Sequence, residues 1–167
     1  MKFTFNEFWW QADVQFPAWS DFTHGDTTKL TFAPEGRDEA PMDADEVALA
    51  TWVRDNHASQ KLPLLKAILE AYPDLRRQFF ENYDIKENEG DLPTITSEDD
   101  LAKVIQLEEI NVHQISKDGI PYVGYQFLCL WDNEHGLGVL IHDKRVIEIG
   151  GSDTAFLLWI AERDRDS

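Results

Sequence analysis

Asp132, Glu134 and His135 bring two carboxylates and an imidazole together in the run Trp131-Asp-Asn-Glu-His-Gly-Leu-Gly138. Such groups are the oxygen and nitrogen donors a hard or borderline divalent metal takes. His113, His142 and Asp153 stand on neighbouring expected elements. The spacing matches no established ligand motif, having neither paired histidines one helical turn apart nor an acidic ladder. The same residue types also build turns: Asp and Asn bond their own backbone, and Gly136 and Gly138 relieve crowding or admit another backbone. Asp132, Glu134, His135 and Asp153 are therefore taken as candidate binding residues. No residue is assigned a catalytic or metal-ligating role, and no cofactor is expected.

Other chemistries find less support. There is no Gly-x-Ser-x-Gly elbow. Cys129 is the single cysteine, so no internal disulfide forms. It sits in the apolar run Tyr125–Trp131 with nothing basic beside it, where a buried, inert thiol is expected. Gly150-Gly-Ser152 ahead of a helix could receive an anion on free backbone N–H groups, but Asp153 occupies the same field and repels phosphate.

The chain carries 32 acidic against 15 basic residues, a net charge of −17 over 167 residues. A field of that sign repels nucleic acid and anionic membranes and attracts basic partners. Acidic loops are expected over 33–46 and 84–91. The N-terminus lacks a signal-peptide pattern, and no apolar run approaches membrane-spanning length, so a cytoplasmic chain is expected.

The elements that must position the Asp132–His135 run follow from periodicity. Hydrophobic residues make up 43% of the chain, enough for one core. A folded chain of this mass exposes roughly 8,500 Å², about a third of its extended surface. A single domain over 1–167 is expected. It comprises an aromatic β-rich segment (1–33), a helical segment (43–105), and a meander with a last helix (106–163). Phe3 and Phe5 alternate with polar neighbours, and Thr28–Phe32 is a second strand candidate, with a turn at Pro17–Asp21 between them. Residues 33–45 form a loop, expected to be the most mobile segment.

Asp43 caps a helix to His57 with Glu46 in capping-box position. A second helix ends at Pro73, which can open a third. Residues 84–93 are a linker, and Ser97–Ile105 a short helix. The period then changes to two. Strands are expected over Leu107–Ile115 with a bulge at Glu108-Glu109, Ile120–Trp131, Leu137–His142 and Arg145–Ile149, joined by tight turns. The second of these is apolar on both faces and should be central. Ser152 is placed as the cap of a last helix, Asp153–Glu162, with Phe156, Trp159 and Ile160 facing the sheet. The fold class is α+β: a four-stranded C-terminal antiparallel meander packed with helices on one face, with the aromatic N-terminal segment covering the other.

The runs Trp131-Asp-x-Glu-His-Gly-Leu-Gly-Val139 and Ile149-Gly-Gly-x-Asp-Thr-Ala-Phe156, with Tyr122-x-Gly-Tyr-x-Phe127 upstream, resemble the signature end of an uncharacterised bacterial domain-of-unknown-function family. The resemblance is strongest over about 110–160 and carries no activity with it. By analogy of class, acidic single-domain proteins of this kind often serve as immunity proteins against secreted toxins. The expected function is thus a non-enzymatic protein-binding module with a basic protein as partner. The alternative is a metal-dependent hydrolase using Asp132, Glu134 and His135. A third reading is a homo-oligomer joined through exposed aromatics.

Overall fold

The computed structural model describes residues 1–37 and 39–167; Asp38, in the expected loop 33–45, lies outside the described residues. Seven strands form one mixed sheet in chain order: β1 (Thr4–Phe5), β2 (Trp10–Val14), β3 (Thr28–Phe32), β4 (Ile105–Lys117), β5 (Ile120–Cys129), β6 (Leu137–His142) and β7 (Arg145–Gly150). Every neighbouring pair is antiparallel except β3 and β4, which run parallel. A parallel pair needs a long crossover. Helix α1 (Ala44–Asn82) is part of it.

The α+β class holds. The four C-terminal strands do pair in order, but they are the larger part of a bigger sheet. The N-terminal segment extends that sheet edgewise through β1–β3 and does not lie across its face. Only its 3-10 turn, Pro17–Phe22, covers the sheet: Trp19 packs its ring against Tyr125 and Phe127 at 5.4 and 5.8 Å between centroids. The reason is edge pairing. Thr28–Phe32 has β-branched and aromatic residues and an available neighbour in β4, so its backbone bonds are met in the ladder.

The helices also differ from expectation. The separate helices expected over 43–83 are one helix of 39 residues that runs through Pro63 and Pro73. An interior proline costs about 3 kcal/mol. Against that, Ala50, Val53, His57, Gln60, Leu64, Ile68 and Tyr72 recur at helical spacing and are all buried. Each large apolar side chain so buried stabilises by about 1.5–3 kcal/mol, so the stripe outweighs the two breaks. The start is as expected: Asp43 accepts from Glu46 N–H at 2.9 Å, and Glu46 accepts from Asp43 N–H at 2.9 Å. Arg37 then binds both Glu46 oxygens, at 2.6 and 2.7 Å. The described part of loop 33–45 is pinned further, by Trp10 Nε1–H to the Ala40 carbonyl at 3.1 Å and by Glu35 N–H to Gln114 at 2.6 Å.

Helices flank the sheet on both sides, not one. α1 and the 3-10 turn cover the face of Val123, Tyr125, Phe127, Val139 and Ile141. The other face is covered over β4–β7 by a 3-10 turn, Ser152–Ala155, and a short helix α2 (Leu158–Arg165), with Tyr122, Leu140 and Ile160 as its core. The expected helix 153–162 is thus split, and Ser152 makes no side-chain cap. Ile160 is buried, but Phe156 and Trp159 are about half exposed. Ser97–Ile105 likewise resolves into a 3-10 turn, Asp99–Lys103, with Ile105 already in β4.

The turns follow their chemistry. Asp118 and Gly119 both take positive φ in the β4–β5 hairpin, as Asp-Gly permits, and Asp143 does so between β6 and β7. The ladder shifts at Glu108, as a bulge there requires. The ladder shifts again between Val112 and Ser116, and a third shift, at Ile147, puts Ile147 and Glu148 together on the α2 face while Val146 and Ile149 stay on the α1 face. The folded surface is 8963 Å².

Candidate functional site

After β5 the chain turns at Asp132, whose side chain organises the turn. Its carboxylate accepts from the backbone N–H of His135 at 2.9 Å and of Glu134 at 3.2 Å. The His135 ring donates to it from Nδ1, at 3.1 and 3.2 Å. A carboxylate can only accept, so Nδ1 is the donor of this contact. These bonds, the backbone N–H of His135 first, hold the Asp132 carboxyl below the usual carboxylate range. Gly136 closes the turn with its N–H on the Asp132 carbonyl at 3.0 Å and φ of +65°.

The turn is then stapled to the chain that leaves β7. Ser152 N–H donates to the His135 carbonyl at 2.8 Å. Gly138 has no side chain because the carbonyls of Gly151 and Ser152 occupy the place its Cβ would take. Opposite, Tyr72 sets its ring edge-on to Trp131 at 5.6 Å and donates to the Pro93 carbonyl at 2.7 Å. The third wall is therefore the stretch of α1 from Ala71 to Asn82.

These three walls enclose an open cleft of about 810 Å³. Ala71, Leu75, Phe79, Trp131, Leu137 and Ile149 supply its apolar surface. Asp74, Asp132, Glu134 and Asp153 supply four carboxylates, and among the described residues no Lys or Arg lines it. Arg77 reaches Asp74 from outside, at 3.2 Å, and shares itself with Glu81. The structure thus gathers all the sequence candidates (Asp132, Glu134, His135 and Asp153) in one cleft, and adds Asp74, Gln78 and Asn82 from α1.

The α1 residues were out of reach of sequence reasoning, which broke the helix at Pro73 and gave Asp74 to a new helix start. His113 and His142 lie elsewhere: each is buried, His113 donating to the Ala155 carbonyl at 2.9 Å and His142 to those of Lys117 and Ile120 at 3.1 and 3.2 Å. Among the described residues no three His, Cys, Asp or Glu side chains converge as metal ligands. Cys129 is buried, and burial pushes its thiol up to about 11, as an inert structural cysteine requires.

The acidic loop 84–91 is exposed, and part of its charge is paired at the surface. Arg76 binds Glu87 at 2.8 Å and the Leu92 carbonyl at 2.9 Å, and Glu89 accepts from Thr94. Among the described residues no helix is long and apolar enough to cross a membrane.

Residues 2–157 match the family model described as a domain of unknown function, DUF6985, and the chain belongs to that family. No curated protein and no solved structure matches it.

Proposed function

We propose that this chain is a non-catalytic binding module that captures a positively charged segment of a partner protein in the cleft between α1, the Asp132–Leu137 turn and the end of β7. The observation that carries the reading is the pairing of four carboxylates with an apolar surface in a cleft free of Lys and Arg. Lysine and arginine side chains have that same division, an apolar stem under a cationic head. A stem laid on Leu75, Phe79 and Trp131 contributes through burial, about 25 cal/mol per Å². The carboxylates of Asp74, Glu134 and Asp153 add about 1 kcal/mol each at water-like dielectric, a contribution that salt erodes. The net charge of −17 acts at longer range and speeds encounter with a basic partner. A basic toxin whose working surface carries such a segment would be blocked by this capture, which is the immunity-type role.

The test is a calorimetric titration of the full chain with a lysine-bearing peptide at low and at physiological salt. The wild type is compared with a variant combining Asp74→Asn, Glu134→Gln and Asp153→Asn. The reading expects affinity to fall with salt and by about tenfold or more in the variant, each lost charge pair weakening a surplus of order 1 kcal/mol. Equal affinity in the two proteins overturns it.

A further inference from the structure

A seven-stranded sheet has two edges, and here they are unequal. β1 is two residues long and β7 is six. Proteins guard sheet edges by brevity, bulges and charge, because an edge strand's outward N–H and C=O groups can template another strand. β1 is guarded by brevity. β7 is guarded over its first half, where Arg145 is held by Asp164 and the extra residue at Ile147 interrupts the ladder. Its second half is regular, with Glu148, Ile149 and Gly150 facing Leu140, Val139 and Gly138 in register. Beyond that ladder these residues have no further backbone partner among the described residues. Ile149, Gly150 and Gly151 also form one wall of the acidic cleft.

We infer that the Glu148–Gly150 edge accepts an extended segment of the basic partner as an eighth strand, its cationic side chains entering the cleft. The inference rests on the binding reading above. A strand added at this edge alternates its side chains between the two faces of the sheet. Those on the α1 face, the face of Ile149, meet Asp74, Glu134 and Asp153. Those on the opposite face emerge beside Trp159, which is 52% exposed and stacked under Arg163 at 5.1 Å. Arg163 in turn holds Glu148 at 2.8 Å. One face thus asks for cations, and the other, with a guanidinium and an indole, for apolar residues. The segment that fits has Lys or Arg at alternate positions with apolar residues between. Main-chain bonds supply affinity without regard to sequence, and the two faces supply the selection.

The probe is an end-capped peptide alternating Lys and Val, titrated into the full chain at low salt. Two further peptides carry N-methyl groups, one on every valine and one on every lysine. N-methylation removes backbone donors and leaves the charges in place. Only one set of amides can point at β7, so one methylated peptide is expected to lose about tenfold or more in affinity, the other less. Amide exchange at Glu148–Gly150 should slow on binding the parent peptide. If the parent binds but both methylated peptides match it and those amides exchange as before, strand addition is overturned and the cleft reading stands. If the parent does not bind, or a Glu–Val peptide binds as tightly, the cleft reading fails and this inference falls with it.

Discussion

His113 donates from Nε2 to the Ala155 carbonyl oxygen at 2.9 Å, and that carbonyl lies where Gly124, on the next strand, would carry a Cβ. The missing side chain and the buried imidazole are two halves of one device. Gly124 lets the 3-10 turn Ser152–Ala155 rest directly on the sheet, and His113 then satisfies the carbonyl buried by that contact. An unmet buried acceptor would cost about 1–3 kcal/mol. Gly138 admits the carbonyls of Gly151 and Ser152 in the same way. The glycines of this region are thus spaced for backbone-on-backbone packing.

Gly124→Ala is expected to destabilise the fold strongly, by about 3 kcal/mol, because the obstacle is main chain and cannot swing aside. Gly25→Ala is the control: nothing lies within 4 Å of its Cβ position and its φ is not positive. It should stay within about 0.5 kcal/mol of wild type. Chemical denaturation of both variants checks the contrast, and a Gly124→Ala protein as stable as wild type would refute the packing account.

The His113 imidazole is pushed down from 6.5 to about 4 by burial, which disfavours its charged form. In the unfolded chain it protonates near its ordinary value, so between those values the unfolded state holds more protons. Stability from this group is complete above about 6.5 and falls as pH drops toward about 4, a loss of about 3 kcal/mol in all. Below that range a second group takes over. Asp164 is lowered to about 2 by the Arg145 guanidinium and then the Tyr122 hydroxyl, so its contribution fades between its ordinary 3.8 and about 2. Denaturation midpoints followed from pH 7 to pH 3 should decline in that order. In His113→Gln the upper part of the decline should flatten.

The Arg145–Asp164–Tyr122 group fastens α2 across β5 and β7. Arg145 meets both Asp164 oxygens at 2.8 and 2.7 Å, and Tyr122 donates to one of them at 2.8 Å. Asp164 is nearly buried whereas Arg145 is more than half exposed, so solvent screens much of the ion pair. Asp164→Ala should cost about 1–3 kcal/mol, most of it from the Tyr122 hydroxyl left without an acceptor. Tyr122→Phe in the Asp164→Ala background should then cost less than it does alone. A double-mutant cycle on thermal or urea stability measures that coupling, and additive losses would dissolve the group into separate contacts.

How far the sequence discloses this fold depends on whether the signal is local. The capping box at Asp43 and Glu46, the Asp118-Gly119 hairpin and the bulge at Glu108 are all written within a few residues, and each stands where periodicity and turn chemistry put it. What escapes is what distant residues decide. Pro73 reads as a helix end because its local cost is legible, while the long buried stripe that offsets it emerges only once the sheet is in place. The pairing of β3 with β4 joins residues such as Lys29 and Glu109, which share no local pattern. The cleft divides along the same line. Asp132, Glu134, His135 and Asp153 announce themselves by type and proximity. Asp74 does not, since only an unbroken α1 carries it to the cleft.

The two acids of the Asp132–His135 turn should separate experimentally. Asp132 accepts three hydrogen bonds within its own turn, two from backbone N–H groups and one from the His135 ring. Glu134 accepts none among the described residues, yet it lines the cleft. Asp132→Ala should therefore cost stability, by about 1–2 kcal/mol as for the loss of a helix cap. It should also weaken peptide binding indirectly, by loosening the wall that Ser152 staples to His135. Glu134→Gln should leave the denaturation midpoint within about 0.5 kcal/mol of wild type. It should nonetheless lower affinity for a lysine-bearing peptide, and that loss should shrink as salt rises. The two measurements run on the same pair of variants: urea denaturation for the first, calorimetric titration at two salt concentrations for the second. A Glu134→Gln protein that binds as well as wild type at low salt would remove this carboxylate from the site and leave the turn with a purely structural role.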